Sequence, residues 1–431
     1  MLKNKFIRNS SGYLVVNVIR LLTTLIGTLL ISKKIGPATF GDYSYIISIY
    51  LISFTFDNLC NPNIIKAYIL KDNYTENEVL GSSFSLNLII FLLNFCIFSL
   101  VGYYLIKDRS LYIFLLFLLS TNLIRPFFIL NAYYEAKFMA TYASLFQLIG
   151  ALGSIFYRIY YAIVSPELKY QVYGFSIQLI VPILLFVLTY KNSIFRWKYN
   201  NSLTWVVFSK SIPIFIGSIF TTILMKIDII MLKSYVGSNI IGQYSVMLKL
   251  CEPVTIFCTA ICTSMFPILI NHKKSDRIEN YESLIVATNS ILVFSSLTFG
   301  FIGILIAPLF IDKFLGMDYS KVPVIFNIYY WTIPFLFLSN FQHNIEVIDS
   351  NSKTYLTRTL LATLTNIILN YLMIPIWGEV AAAYTTVFSF FILTIGSNII
   401  YFKKYHYLNY QLKSLNPKRL LFIKDIIKAN R

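Results

Sequence analysis

Long apolar runs alternate with short polar segments along the whole chain. A helix needs about 20 consecutive apolar residues to cross the hydrocarbon core of a bilayer. By this criterion the pattern predicts about twelve membrane-spanning helices joined by short links. The predicted spans are 12–31, 40–60, 82–106, 111–134, 142–164, 172–190, 205–232, 240–270, 284–311, 324–345, 355–376 and 380–402.

The composition agrees with this pattern. Of the 431 residues 57% are hydrophobic and 13% are charged, and the mean hydropathy is +0.68. Soluble domains carry about 25% charged and about 45–50% apolar residues. The chain is therefore expected to be an all-α, polytopic membrane protein.

The charge of the chain is strongly positive, +17 at pH 7. The basic residues lie mostly in predicted loops and termini rather than in one patch, so we do not expect nucleic acid as a partner. If the N-terminus is inside, the cytoplasmic segments, counting Arg358 among them, hold about three times as many basic residues as the opposite face. Both termini are therefore predicted to be cytoplasmic.

One ten-residue motif occurs twice, half a chain apart. IGPATFGDYS at 35–44 joins the first predicted span to the second, and VGSNIIGQYS at 236–245 joins the seventh to the eighth. Six spans, an even number, separate the copies, which predicts parallel repeats related by an axis along the membrane normal. We expect a six-helix bundle in residues 1–190, a cytoplasmic linker at 191–204, a second six-helix bundle in 205–402 and a basic cytoplasmic tail at 403–431.

Cationic side chains inside the predicted spans point to an anionic cargo. Each arginine at the centre of a bilayer costs about 2.5–3.5 kcal/mol on insertion scales, so several are expected to face a water-filled cavity or a partner. Helical wheels place Asn17 and Arg20 on one polar stripe of the first predicted span, and Gln147 and Arg158 on one polar stripe of the fifth. The alternative for each stripe is close helix packing, which small and polar residues also provide. The predicted cavity residues are Arg20, Arg125, Arg158, Lys226, Lys249, Asn17 and Gln147.

Three carboxylates in the spans are candidates for ion coupling: Asp228, Glu252 and Asp57. Alternate exposure to the two sides of the membrane would change their occupancy by a proton or sodium ion. The alternative is a structural ion pair, of Glu252 with Lys249 three residues earlier, or of Asp228 with a nearby lysine. No metal or other cofactor is expected, because the five cysteines and three histidines lack ligand spacing.

Three blocks of sequence resemble segments of one known family. The segments SKSIPIFIG (209–217), MKIDIIML (225–232) and GQYS (242–245) are similar to its seventh and eighth helices. LLISKKIGPATFGDY (29–43) resembles its first helix and loop, and NIILNYLMIPIWGEVAAA (366–383) resembles a block near its C-terminus. The family is that of the Wzx-type flippases of O-antigen and other polysaccharide repeat units. It belongs to a superfamily that also holds MATE multidrug exporters and the lipid II flippase.

The resemblance implies a MATE-like fold and a bacterial inner (cytoplasmic) membrane protein. The implied activity is transfer of undecaprenyl-diphosphate-linked oligosaccharide, such as a lipopolysaccharide repeat unit, from the cytoplasmic to the periplasmic leaflet. The resemblance implies transport by alternating access through a cationic cavity, with ion coupling and without a cofactor. Implied partners are membrane lipids, a polysaccharide polymerase and a chain-length regulator.

Two other functions stay open at this stage. A multidrug or cation antiporter of the same fold would favour carboxylates in the cavity. This alternative stays open because the predicted spans contain Asp57, Asp228 and Glu252. A membrane polysaccharide polymerase or ligase would need a long external loop with working residues, and no predicted outward loop exceeds about a dozen residues at these span lengths. We therefore expect a transporter and not an enzyme.

Overall fold

The computed structural model describes residues 2–70, 73–190, 193–274, 278–349, 351–400 and 407–417. All regular elements in these ranges are helical, as the apolar runs predict. The α-helices are α1 (Leu2–Phe54), α2 (Pro62–Ile69), α3 (Glu76–Leu105), α4 (Arg109–Thr121), α5 (Ile129–Ala136), α6 (Ala140–Val164), α7 (Leu168–Thr189), α8 (Asn201–Tyr235), α9 (Ser238–Cys251), α10 (Thr255–Lys274), α11 (Ile278–Phe310), α12 (Val322–Tyr329), α13 (Thr332–Ile348), α14 (Ser352–Phe391), α15 (Ser397–Ile400) and α16 (Tyr407–Ser414).

Nine helical stretches of the described chain are long and apolar enough to cross a membrane. A tenth is formed if the bent pair Met317–Tyr329 and Thr332–Ile348 counts as one span. Two of the nine, Val15–Ile69 and Lys353–Ile400, have 55 and 48 residues. A single pass needs about 20 residues, so each of these two is long enough for two passes. The chain is a multi-pass membrane protein, and the count of twelve spans stays a prediction.

Single glycines interrupt the two longest helices. In α1 the break is Gly36, with φ of 77°, and in α14 it is Gly378, with φ of 56°. Side chains other than glycine seldom adopt such left-handed backbone. The segment 35–44 was predicted to be a link between helices; in the structure the helix continues on both sides of Gly36. One left-handed residue is enough to redirect the chain, so no longer loop is needed.

By packing, the described chain divides into two compact units. The first unit runs to Ile230 and includes Gly237–Gly242, and the second holds Met231–Val236 and the chain from Gln243 onward. In the first unit α1 and α6 pack together through the polar stripes predicted on the first and fifth spans. Asn17 Nδ2 donates to Ser144 Oγ at 3.4 Å, and a Cβ added to Gly27 would lie 2.6 Å from Ile155 Cγ2. The predicted domain limits at 190 and 205 stay a prediction.

The two copies of the repeated motif also meet inside the first unit. A Cβ added to Gly41 would lie 1.9 Å from the carbonyl oxygen of Ser238, and one added to Gly242 would lie 1.9 Å from that of Pro37. Pro37 and Ser238 hold the same position in their copies, as do Gly41 and Gly242. The contact is therefore reciprocal, as in a self-complementary two-fold interface. Only glycine fits at either position.

The second unit contains a buried polar network around Arg358. Arg358, counted among the cytoplasmic residues, is 0% exposed and forms two hydrogen bonds to Glu346, from Nε to Oε1 at 2.8 Å and from Nη2 to Oε2 at 2.9 Å. Gln342 Nε2 donates to Glu346 Oε1 at 3.2 Å, and Arg358 Nη1 donates to the carbonyl of Leu393. A full set of partners is what allows a charged group to be buried.

Part of the predicted basic tail packs into the second unit. Residues 407–414 form α16, where Ser290 Oγ donates to the Ser414 carbonyl at 2.8 Å and Tyr410 OH donates to Glu282 at 2.8 Å. Asn398 Nδ2 donates to Gln411 at 3.0 Å and ties α16 to the network of Arg358. The rest of the predicted tail, 403–406 and 418–431, lies outside the described residues.

Candidate functional site

Two short 3₁₀ segments interrupt membrane helices of the first unit, and each carries one charged residue of interest. Thr55–Cys60 follows α1 and contains Asp57, and Asn122–Phe128 follows α4 and contains Arg125. Their positions follow from two prolines: Pro62 begins α2, with Asn61 as its N-cap, and Pro126 has no N–H to continue a helix. Non-helical backbone at membrane depth is tolerated where it lines a cavity.

Such a cavity lies beside both segments, entirely within the first unit. Its volume is about 450 Å³, within the range of about 300–1,000 Å³ typical of small-ligand sites. It is lined by Leu51, Phe54, Thr55, Asp57, Asn58, Cys60, Pro62, Ile65, Asn87, Arg125, Phe128, Ile129, Ala132, Thr222, Met225 and Lys226. The charged lining residues are Arg125, Lys226 and Asp57, so the wall carries a net positive charge.

Arg125 and Asp57 form an ion pair on the wall of this cavity. Arg125 Nε donates to Asp57 Oδ2 at 2.9 Å, and Nη2 donates to the same oxygen. The side chain of Arg125 is 9% exposed and that of Asp57 is 37% exposed. The guanidinium is thus shielded on the protein side, while the carboxylate reaches the open part of the cavity.

Two aromatic rings contact the guanidinium of Arg125. Its Cζ lies 4.0 Å from the ring centroid of Phe54 and 4.8 Å from that of Phe128. Cation–π contacts of this kind stabilise a desolvated cation by about 2 kcal/mol. They also help to hold the guanidinium in place beside Asp57.

The other predicted residues of the first bundle lie outside the cavity lining. Arg20 Nη1 donates to Gln147 Oε1, between α1 and α6, next to the contact of Asn17 with Ser144. Asn17 and Gln147 thus both take part in hydrogen bonds between α1 and α6, and a role of either residue in binding cargo stays a prediction. A role of Arg20 in binding cargo stays a prediction.

Arg158 is 3% exposed and buried between α6 and α7. Its Nε donates to Gln171 Oε1 at 3.1 Å, and its Cζ lies 4.6 Å from the ring centroid of Tyr43. Gly174 leaves room for its side chain, because a Cβ there would lie 2.2 Å from Arg158 Cγ. In this conformation Arg158 does not line the cavity.

The candidates for ion coupling are dispersed. Asp57 is paired with Arg125, as described, and Glu252 is paired with Lys249 at 2.8 Å in the second unit, which is the pairing that the three-residue spacing predicts. Asp228 is 2% exposed in α8 and does not line the cavity. Its role in coupling stays a prediction.

A chain of polar groups in the first unit was missed at the level of sequence. It begins with the hydrogen bond of Arg20 to Gln147. Gln147 Nε2 then donates to Asn131 Oδ1 at 3.0 Å, and Asn131 Nδ2 donates to Glu135 Oε1 at 2.9 Å. It ends where Lys66 Nζ contacts Glu135 Oε2 at 2.7 Å. The spacing of four between Asn131 and Glu135 is a helix-face signal, but their partners lie on other helices.

The sequence matches one protein-family model. The profile of a family described as polysaccharide biosynthesis protein matches residues 6–273, which is more than half of the chain. No curated protein sequence matches the chain.

Comparison with solved structures shows the fold. The lipid II flippase MurJ in an inward closed conformation matches with a TM-score of 0.73 at 16% identity, over 95% of this chain and 91% of that one. An inward-facing MATE family multidrug resistance transporter of the MOP superfamily matches with a TM-score of 0.76 at 10% identity, over 90% and 95%. A MOP superfamily transporter from Pyrococcus furiosus, described as having a binding pocket of reverse polarity, matches with a TM-score of 0.61 at 13% identity, over 94% of this chain and 97% of that one.

Proposed function

Because the chain belongs to the polysaccharide biosynthesis protein family, we propose that it is a flippase that moves lipid-linked oligosaccharide repeat units across the bacterial inner membrane. The cargo is undecaprenyl-diphosphate-linked oligosaccharide, of the kind used for O-antigen and lipopolysaccharide. The observation that carries the proposal is the net positive cavity wall of Arg125, Lys226 and Asp57 in a chain of this family and fold. The structural likeness to a lipid II flippase agrees with a lipid-linked cargo.

The proposal includes the finer features that the sequence predicts. Val15–Ile69 and Lys353–Ile400 each cross the membrane twice, which with the bent pair gives twelve spans and two cytoplasmic termini. The cavity opens to the two sides in turn, while the prenyl tail stays in lipid. Within the cavity a lysine ammonium at Lys226 serves the diphosphate, since a compact cation is a common phosphate ligand.

An antiporter for cationic drugs, the rival of the same fold, fits the cavity less well. The carboxylate of Asp57 already has a cation beside it, and the faces of Phe54 and Phe128 are already covered by Arg125. A cationic drug would therefore have to displace an internal guanidinium. An anionic, hydroxyl-rich cargo meets no such competition.

Deletion of the protein is expected to abolish surface polysaccharide and to trap repeat units on the cytoplasmic leaflet. The measurement is labelling of the lipid-linked glycan with a reagent that does not cross the inner membrane, in spheroplasts of the deletion strain and of the same strain carrying the gene on a plasmid. Normal labelling in the deletion strain, in a background without a second flippase, would refute the function. Loss of drug resistance with normal labelling would favour the antiporter.

We further propose that Asp228 couples transport to a proton or sodium gradient. A carboxylate buried in a membrane helix is costly, and such groups are commonly functional. Asp228→Asn keeps the size of the side chain and removes its charge, so transport in proteoliposomes should lose its response to an imposed gradient. Glu76→Gln, at an exposed pair with Lys137, is the matched control. An unchanged gradient response in Asp228→Asn would place the coupling elsewhere.

A further inference from the structure

We propose that the cavity of the first unit is a sugar site, in which the ion pair of Arg125 and Asp57 binds two neighbouring hydroxyl groups of the cargo glycan. The proposal rests on the proposed function and assigns one part of the cargo to this cavity. The sequence did not indicate this pairing, because it predicts Arg125 as a cavity residue and Asp57 as a candidate for ion coupling. The geometry of the pair and of the amides around it carries the inference.

The ion pair leaves one donor and one acceptor unused. Both contacting nitrogens of Arg125, Nε and Nη2, donate to the single oxygen Oδ2 of Asp57. An arginine that faces a carboxylate symmetrically uses both oxygens instead. Within the described ranges, no residue hydrogen-bonds to Arg125 Nη1 or to Asp57 Oδ1. The pair therefore offers a cation donor and an anionic acceptor close together on the cavity wall.

A hydroxyl pair satisfies this arrangement and a phosphate does not. A hydroxyl group both donates and accepts, so one hydroxyl can donate to Asp57 Oδ1 while its neighbour accepts from Arg125 Nη1. An ionised carboxylate only accepts, and a phosphate oxygen placed against it meets a like charge. Adjacent hydroxyls on a ring carbon skeleton are the defining feature of a sugar.

The rings of Phe54 and Phe128 lie 4.0 and 4.8 Å from Arg125 Cζ. Together with the hydrogen bonds to Asp57, these contacts hold the guanidinium in place before a ligand binds. A donor that is already held in place loses little conformational freedom on binding, which favours directional recognition over simple charge attraction.

Further polar groups of the lining suit a hydroxyl-rich ligand. Asn58 donates from Nδ2 to Ser218 Oγ at 3.0 Å, which leaves its carbonyl oxygen for other partners. Asn87 in α3 lines the cavity, and its amide has no hydrogen-bond partner among the residues that the structure describes. The remaining lining is largely apolar, and the cavity of about 450 Å³ has the size of a site for a small ligand, not for a long glycan.

The test separates binding of sugar from binding of diphosphate. Two probes are used with the purified full chain in detergent or nanodiscs: the lipid-linked repeat unit extracted from the deletion strain, and undecaprenyl diphosphate without sugar. The variants are Asp57→Asn, which keeps a hydrogen-bond acceptor for Arg125, and Asn87→Ala, which breaks no recorded hydrogen bond. Glu76→Gln, outside the cavity lining and in an exposed ion pair with Lys137, is the control. Thermal unfolding of each preparation reports whether the variant is folded.

We expect Asp57→Asn to weaken binding of the sugar-bearing lipid about ten- to a hundredfold, because a charged hydrogen-bond partner of the glycan is lost, and Asn87→Ala about three- to tenfold, because a neutral partner is lost. Binding of undecaprenyl diphosphate should change less than about twofold, because its charge contact is with Lys226 and not with Asp57 or Asn87. Equal losses for both lipids, or no loss in either folded variant, would overturn the sugar site.

Failure of the sugar site is distinguishable from failure of the proposed function. If the unmodified protein binds both lipids equally well, the cavity does not recognise sugar, and the flippase function stands. If the unmodified protein binds neither lipid, the flippase function and the sugar site are both wrong.

Discussion

Arg358→Leu alone is expected to destabilise the protein by about 3–5 kcal/mol, because it leaves the carboxylate of Glu346 buried without its cation. Glu346 is 7% exposed, and both of its oxygens accept from Arg358. The same change removes the donor to the Leu393 carbonyl in the π-helical segment Ile392–Gly396. Thermal unfolding in detergent, followed by intrinsic fluorescence, measures the effect.

The matched control removes both charges. Arg358→Leu with Glu346→Leu leaves no unpaired charge, and replacing a buried ion pair by apolar residues is often neutral. The double variant should therefore unfold at a clearly higher temperature than Arg358→Leu. If the single and double variants unfold at the same temperature, the ion pair does not account for the stability of this region.

Gly41→Ala and Gly242→Ala are each expected to destabilise the first unit, at or above the upper end of the range of about 1–3 kcal/mol for overpacking. The added Cβ would lie 1.9 Å from a backbone carbonyl oxygen in both cases, and backbone cannot move aside as a flexible side chain does. The two variants should resemble each other, because the contact is reciprocal between the copies of the motif. Thermal unfolding of the purified variants checks this.

Gly237→Ala is the control, since a Cβ at Gly237 meets nothing within 4 Å. It lies in the same motif, and its effect should stay within about 0.5 kcal/mol. Unfolding temperatures of Gly41→Ala and Gly242→Ala equal to that of Gly237→Ala would contradict the close reciprocal contact.

The apolar pattern predicts the helical fold well, because backbone N–H and C=O groups find no partners in lipid and a long helix satisfies them internally. It does not locate single-residue breaks. Gly36 and Gly378 redirect α1 and α14 without a polar loop, so hydropathy alone places a link where the helix continues. The repeated motif was visible in sequence, but that its two copies touch each other is a property of the folded chain.

The candidate site was predictable only in part. The cost of an intramembrane charge marks Arg125, Lys226 and Asp57 correctly as unusual, and all three line the cavity. The partner of a charge is not in its own helix, so the pairing of Arg125 with Asp57, 68 positions apart, could not be read from spacing. For the same reason a helical wheel shows which residues share a face of the helix with Arg158, but it does not show that α7 packs against that arginine.

Arg358 shows the limit of counting charges by segment. It lies near the start of a predicted span and beside Lys353, in a stretch that reads as cytoplasmic. Its partner Glu346 is on α13, twelve positions earlier. The pairing of the two charges becomes visible only in the packing of α13 against α14.

Transport of the lipid-linked repeat unit by the purified protein tests the central claim most directly. The protein is reconstituted into liposomes that carry the extracted repeat-unit lipid in both leaflets, and the glycan exposed outside is removed with a membrane-impermeant glycan-cleaving enzyme. The account predicts that glycan from the inner leaflet then becomes accessible in liposomes with the protein and stays protected in protein-free liposomes. Protection that is equal in the two preparations, while the same protein-containing liposomes transport a cationic dye, would contradict it.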